Sequence, residues 1–133
     1  MKLLPTWEFC AISASGLSGG LLTAWNPQRV KCRAFETCDG ILVKASFRGL
    51  STPLAILNVY GPYRNQELFW EKAHRGDLLS IPNLILGGDL NLILKTFEIW
   101  GQKASPDPLS SHFQSLFDSV GLVDIAPPNA RPT

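Results

Sequence analysis

The sequence has little charge of either sign and no long apolar run. Twelve Lys and Arg residues against eleven Asp and Glu residues give a net charge of +1, so a strongly basic domain that coats nucleic acid is not expected. The longest apolar runs, such as Leu54–Leu57 and Leu84–Leu86, are far shorter than the roughly 20 residues of a membrane-spanning helix. We therefore expect no membrane partner.

Cysteine is also scarce. Cys10, Cys32 and Cys38 are an odd number without C-x-x-C spacing, which argues against a zinc site or a disulfide framework. Reduced thiols are typical of cytosolic and nuclear proteins. A signal peptide is not expected, because Pro5 and Glu8 interrupt the N-terminal segment before an apolar region develops. We expect a nuclear or cytoplasmic protein that is not secreted.

The chain does contain enough apolar sequence for a folded domain. Its 133 residues are 45% hydrophobic and 17% charged, which excludes a disordered protein. Ten prolines and eleven glycines divide the chain into short segments of mixed pattern. Such segments favour a single domain of the α/β or α+β class.

Strand patterns dominate the first half. They cover residues 8–15, 21–25, 30–37, 41–47 and 54–60. The segment 30–37 alternates apolar and polar residues, and a tight turn at residues 38–40 links it to its hairpin partner. Because these strands follow one another closely, they predict mainly antiparallel pairing.

Helix and strand patterns alternate in the second half. A helix is predicted from Asn65 to about Leu79, with Gly76 inside it. The apolar run at residues 83–86 predicts a strand covered on both faces. Asp107 followed by proline predicts the start of a second helix, which ends at residue 121.

The sharpest chemical feature is the segment Leu84–Asn91. An apolar strand there brings Asp89 and Asn91 to its C-terminal end, and two glycines before the acid permit close approach to the backbone. If the chain stays extended through Asn91, both side chains point to one side and together hold a water and a phosphate oxygen. The alternative is a Gly-Gly-Asp turn with Asn91 as a helix cap or Asx-turn residue.

A second polar feature lies at the end of the strand 54–60. Tyr60 is followed by the turn sequence Gly-Pro, and its hydroxyl is a candidate donor to a phosphate. The alternative is an ordinary amphipathic tyrosine at the rim of a sheet.

Four motifs in this order resemble the endonuclease/exonuclease/phosphatase superfamily, and most closely the apurinic-endonuclease-like domain of plant non-LTR (LINE-type) retrotransposons. The motifs are Ser18–Trp25, Asn58–Pro62, Leu86–Asn91 and Gly121–Asp124. The resemblance runs from about residue 7 to residue 133. It implies a DNase I-like fold, a four-layer α/β sandwich with mainly antiparallel sheets, and hydrolysis of phosphodiester bonds with Mg²⁺ or Mn²⁺ and DNA as the partner.

The resemblance also implies roles for individual residues. Asp89 resembles the aspartate that orients or activates the water, and Asn91 resembles the asparagine that binds the scissile phosphate. Tyr60 resembles the tyrosine that contacts the phosphate and stabilises charge in the transition state. The chain departs from the family at Tyr63, where the subgroup often has an asparagine.

Other family elements have no counterpart in residues 1–133, and the metal ligands therefore stay unassigned. These elements are the first strands, with their asparagine and metal-binding glutamate, and the later Asp and Ser-Asp-His. His74 and His112 lie on predicted helices, where solvated or half-buried positions are expected. We expect an incomplete sandwich whose isolated chain is at most a trace phosphodiesterase. The alternative is a non-catalytic remnant or binding module derived from a retrotransposon endonuclease.

Two surface expectations follow from an incomplete sandwich and a near-neutral charge. A partly exposed apolar face would make the protein prone to aggregate. Lys31, Arg33, Lys44 and Arg48 are candidates for DNA contacts along one edge of a hairpin. Basic residues at such an edge also serve simply to prevent pairing between the edges of two sheets.

Overall fold

The fold is mixed α+β with two β-sheets. A computed structural model describes residues 5–14, 19–95 and 107–125. The chain divides into two compact units. The first unit comprises Met1–Gly61 and Ile81–Leu90, and the second comprises Pro62–Ser80 and Asn91–Thr133.

The first unit contains both sheets. Strands β1 and β2 form an antiparallel two-stranded sheet, and the other strands form a four-stranded sheet in the order β3-β4-β5-β6. Pairing in the larger sheet is antiparallel except between β5 and β6, which are parallel. The antiparallel pairing predicted within the first half is confirmed. The strands are β1 Glu8–Ile12, β2 Leu21–Trp25, β3 Val30–Glu36, β4 Gly40–Phe47, β5 Leu54–Tyr60 and β6 Leu84–Asp89.

The alternation of side chains explains the burial along β5 of the larger sheet. Along β5 the buried residues are Ala55, Leu57 and Val59, whereas the residues between them are half-buried, as expected when one face is fully covered. One face of β3 is exposed to solvent, as its alternating sequence predicts, because every second residue from Lys31 is exposed. The prediction that the strand after residue 83 is covered on both faces is wrong, because Ile85 is 48% exposed on β6.

Among its described residues, the second unit contains two helices, α1 at Gln66–Arg75 and α2 at Ser110–Ser119, and a short 3-10 helix at Leu78–Ser80. The predicted first helix was too long. The N–H of Gly76 still donates to the Lys72 carbonyl at 3.0 Å, but Gly76 is the C-cap and Asp77 has φ +57°. The left-handed conformation at Asp77 breaks the α-helical hydrogen-bond pattern.

Both predicted helix starts are only partly correct. Asn65 is the N-cap of α1, yet it adopts φ +57° and its side chain makes no capping hydrogen bond. Asp107 precedes α2 by three residues, and its Oδ1 accepts a hydrogen bond from the Leu109 N–H at 2.8 Å. The acid therefore stabilises the turn that leads into the helix.

Aromatic packing forms the core of the second unit. Trp70 of α1 and Phe113 and Phe117 of α2 are buried. The Trp70 and Phe117 rings meet edge to face with centroids 5.5 Å apart, a favoured geometry for aromatic pairs. In the described part of the chain, no helix is long and apolar enough to cross a membrane.

Candidate functional site

The carboxyl ends of β5 and β6 bring two predicted site residues together. Tyr60 and Asp89 are register partners in the parallel pairing of these strands. The backbone continues this contact, because the Gly61 N–H donates to the Asp89 carbonyl at 2.7 Å. Since paired residues of neighbouring strands point to the same face, the phenol and the carboxylate emerge on one side of the sheet edge.

Glycine permits the close approach of the two strand ends. Gly88 has φ +118°, and a Cβ placed there would lie 2.1 Å from the Val59 carbonyl oxygen. A Cβ on Gly61 would lie 2.0 Å from the Leu90 carbonyl oxygen. Gly87, in contrast, has nothing within 4 Å of such an atom. The interpretation of the Gly-Gly pair as a point of close approach is therefore correct for Gly88 alone.

Asn58 lies on the same face of β5 as Tyr60, two residues earlier. Its Nδ2 donates to the Leu22 carbonyl at 3.2 Å and to Thr23 Oγ1 at 3.0 Å. These bonds connect the four-stranded sheet to β2 of the smaller sheet. Asn58 thus fixes the strand that carries Tyr60. The sequence motif that contains both residues did not predict this role.

Asn91 does not continue the strand of Asp89. β6 ends at Asp89, and Asn91 adopts the left-handed conformation with φ +50°. Its backbone carbonyl accepts a hydrogen bond from Gln66 Nε2. The chain is therefore not extended through Asn91, and strand alternation does not bring the Asp89 and Asn91 side chains to one side. The phosphate-binding role of Asn91 stays a prediction from the resemblance.

The fit to a divalent metal is poor around Asp89. Within residues 5–14, 19–95 and 107–125, Asp89 belongs to no group of three or more His, Cys, Asp or Glu side chains with clustered ligand atoms. A single carboxylate holds Mg²⁺ only when substrate phosphates and waters complete the coordination, so these described residues do not form a metal site in advance of substrate.

A group of three side chains with clustered ligand atoms occurs in the second unit instead. Ligand atoms of Glu67, Glu71 and His112 lie within 4.8 Å of one another. The His112 Nε2 to Glu71 Oε1 distance is 4.0 Å, and Glu71 also pairs with Arg75. The i, i+4 glutamates on α1 were visible in the sequence, but their proximity to α2 was not. His74 and His112 are both half-buried, as predicted.

Three of the four predicted basic residues share one face of the β3–β4 hairpin, whereas Arg48 lies in the turn after β4. Lys31 and Arg33 alternate along β3, and Arg33 is the register partner of Lys44. All three are exposed, and Lys44 Nζ lies 6.0 Å from the centroid of the Phe35 ring. Because β3 is an edge strand, these charges oppose edge-to-edge pairing, whereas a DNA contact stays a prediction.

Comparison with protein-family models found no match to the chain, and a search of curated proteins found none. The resemblance described above therefore depends on the sequence motifs themselves. The geometric observation that bears on those motifs is the register pairing of Tyr60 with Asp89.

Proposed function

We propose that this chain is an internal part of a DNase I-like domain of the endonuclease/exonuclease/phosphatase superfamily, related to the endonucleases of LINE-type retrotransposons. The reaction of the complete domain would be hydrolysis of a DNA phosphodiester bond by water. The observation that carries the proposal is the meeting of Tyr60 and Asp89 at the carboxyl ends of two parallel strands. The two-sheet α+β architecture is compatible with part of a four-layer sandwich.

The two side chains have complementary chemistry toward a phosphodiester. The Asp89 carboxylate accepts a proton or hydrogen bond from a water and so directs it at phosphorus. The Tyr60 hydroxyl donates a hydrogen bond to a non-bridging phosphate oxygen, where negative charge develops. Asp89 is exposed at the end of its strand and Tyr60 is half-buried, so a substrate can reach the acid while packing orients the phenol.

We expect only trace activity from the isolated chain. The family resemblance implies Mg²⁺ or Mn²⁺, but the described surroundings of Asp89 hold no clustered set of ligands. Groups that act as a catalytic unit lose most of their effect together when one is missing. The same observation favours the second candidate function, a non-catalytic remnant or binding module.

Nicking of supercoiled plasmid DNA with Mg²⁺ or Mn²⁺ tests the proposal. We expect slow nicking that falls about a hundredfold in Asp89→Asn, the typical loss of a general base, and less steeply in Tyr60→Phe. Matched controls are Asp77→Asn, since asparagine tolerates the left-handed conformation there, and Tyr63→Phe at an exposed tyrosine.

Each outcome of the nicking assay has a defined meaning. Slow nicking that Asp89→Asn abolishes and Asp77→Asn preserves supports the endonuclease assignment. Nicking that is indifferent to Asp89→Asn contradicts the assignment of that residue. Many turnovers per protein molecule would overturn the expectation of trace activity. Absence of any nicking above the Asp89→Asn background would favour the non-catalytic alternative.

A further inference from the structure

A cavity of about 610 Å³ lies within the first unit, between its two sheets. Residues of β2, β3, β4 and β5 line it, and buried Val43 and Ala45 form its floor. Cavities that bind small organic molecules typically measure about 300–1,000 Å³ and are mainly apolar. The cavity is open to solvent, so a ligand of this size class can enter it.

Aromatic side chains give the cavity its shape. Trp7, Trp25 and Phe47 all contribute to its wall. The Trp25 indole is fixed in place because its Nε1 donates to Glu8 Oε2 at 2.9 Å. Flat aromatic walls favour a flat aromatic ligand, through offset or edge-to-face contacts between rings.

One cation lies at the rim of the cavity. Arg29 is exposed and contributes to the lining. The turn that carries it is well defined, since the Asn26 carbonyl accepts hydrogen bonds from the N–H groups of Arg29 at 3.0 Å and Val30 at 3.1 Å. Within the described ranges, no carboxylate forms an ion pair with Arg29. Its planar guanidinium therefore has donors available for an anionic group.

We propose that this cavity binds a small aromatic acid, with its rings against Trp7 and Trp25 and its anionic group on Arg29. The charges at the cavity select this ligand class, because Arg29 is the charged lining residue and the Glu8 carboxylate, bonded to Trp25 Nε1, is not part of the lining. A polyphosphate or a nucleic acid needs several cations, whereas a single arginine and a mainly apolar wall suit one anionic group on an apolar ring system. Tyr60 and Asp89 do not line the cavity, so this site is independent of the proposed nuclease chemistry.

A pair of fluorescent probes that differ in charge tests the inference. The anionic probe is 8-anilinonaphthalene-1-sulfonate, and the neutral probe is N-phenyl-1-naphthylamine. We expect saturable binding of both with one site per chain, accompanied by energy transfer from the cavity tryptophans. Arg29→Gln should weaken the anionic probe by about tenfold, as for loss of a charge-assisted hydrogen bond, and leave the neutral probe unchanged.

The control variants separate the cavity from other surfaces. Arg48→Gln removes an exposed arginine that does not line the cavity and should change neither probe. Ala45→Phe fills the floor and should abolish both, and its urea midpoint establishes whether it still folds. Phe9→Ser changes the outer face of β1 and should have no effect. Displacement of the anionic probe by 2-naphthoate would extend the result to carboxylates.

Three results would overturn the proposal. The first is an equal loss of both probes in Arg29→Gln, which would show that the arginine does not recognise charge. The second is loss of binding in Phe9→Ser, which would place the probes on the outer face of the small sheet. The third is binding without saturation in the unaltered protein. Because Arg29→Gln changes an exposed residue, it keeps the test decisive even if Ala45→Phe does not fold.

Discussion

Asn58 of β5 and Thr23 of β2 form a hydrogen bond between the two sheets, with Nδ2 and Oγ1 3.0 Å apart. The same amide nitrogen donates to the Leu22 carbonyl. An amide that bonds both a side chain and the backbone of another strand fixes the position of its own strand. Because Tyr60 follows Asn58 by two residues on the same face, this link helps to orient the end of β5 where Tyr60 meets Asp89.

Removal of the Asn58 amide should destabilise the first unit. We expect Asn58→Ala to lower the free energy of unfolding by about 1–3 kcal/mol, the cost of leaving a partly buried acceptor unsatisfied. Urea denaturation of Asn58→Ala, Thr23→Val and the double variant measures the coupling. A coupling energy of at least about 0.5 kcal/mol is typical of residues in contact. Strictly additive losses would show that the bond contributes nothing to stability.

The two glycines of β6 should respond oppositely to alanine. In Gly88→Ala the new Cβ would meet the Val59 carbonyl oxygen at 2.1 Å in a backbone with φ +118°, and we expect a loss of more than about 3 kcal/mol. Gly87→Ala is the matched control because nothing lies within 4 Å of its Cβ. We expect it to be neutral or to stabilise by up to about 1 kcal/mol. Similar urea midpoints for the two variants would contradict this account.

The sequence predicted the strands better than the contacts between them. Alternation of apolar and polar residues is a local property, and it located β3 at Val30–Glu36 and β5 at Leu54–Tyr60 nearly to the residue. The predicted helix ran on to Leu79 because Ala73, Gly76 and Leu79 are spaced as on one face of a helix. A 3-10 turn continues nearly the same spacing of side chains as an α-helix.

Several features of the candidate sites depend on conformation or on tertiary packing. The sign of φ at Asn91 is not encoded in an apolar-polar pattern, since asparagine occurs readily in both extended and left-handed backbone. The contact of Asn58 with Thr23 joins residues 35 positions apart. The proximity of Glu71 to His112 likewise requires the two helices of the second unit to pack. Sequence motifs thus predicted Tyr60 and Asp89 as site residues, but not the groups that position them.

Two of the three thiols, Cys32 and Cys38, should differ in reactivity. Burial, with a smaller contribution from the Glu8 carboxylate, raises the pKa of the Cys32 thiol above its ordinary value of 9.0, whereas Cys38 is exposed. Because the thiolate is the nucleophile, we expect iodoacetamide at pH 8 to modify Cys38 well before Cys32. Peptide mass spectrometry measures the order, and unfolding in urea should remove the difference. Faster modification of Cys32 in the folded protein would contradict the protection expected from its partial burial.

The raised pKa of Cys32 also has a consequence for stability. A thiol that holds its proton more tightly in the folded state stabilises the fold while it is protonated. This contribution is complete below the pKa of the unfolded chain and is lost as the pH rises through the higher pKa of the folded state. We expect the urea midpoint to fall above pH 9 less steeply in Cys32→Ala than in the unaltered protein. An identical decline in both proteins would show that Cys32 does not contribute.

The outer face of the small sheet should drive self-association. Phe9 is 68% exposed and Leu22 is 65% exposed, and the register of β1 with β2 places both on one face. Clustered apolar side chains on a two-stranded sheet with open edges promote aggregation. We expect Phe9→Ser combined with Leu22→Ser to raise the concentration at which light scattering detects aggregates.

Leu50→Ser is the matched control, because Leu50 is 55% exposed in a turn outside this sheet. If Leu50→Ser improves solubility as much as the double variant, general surface hydrophobicity, and not this face, causes the association.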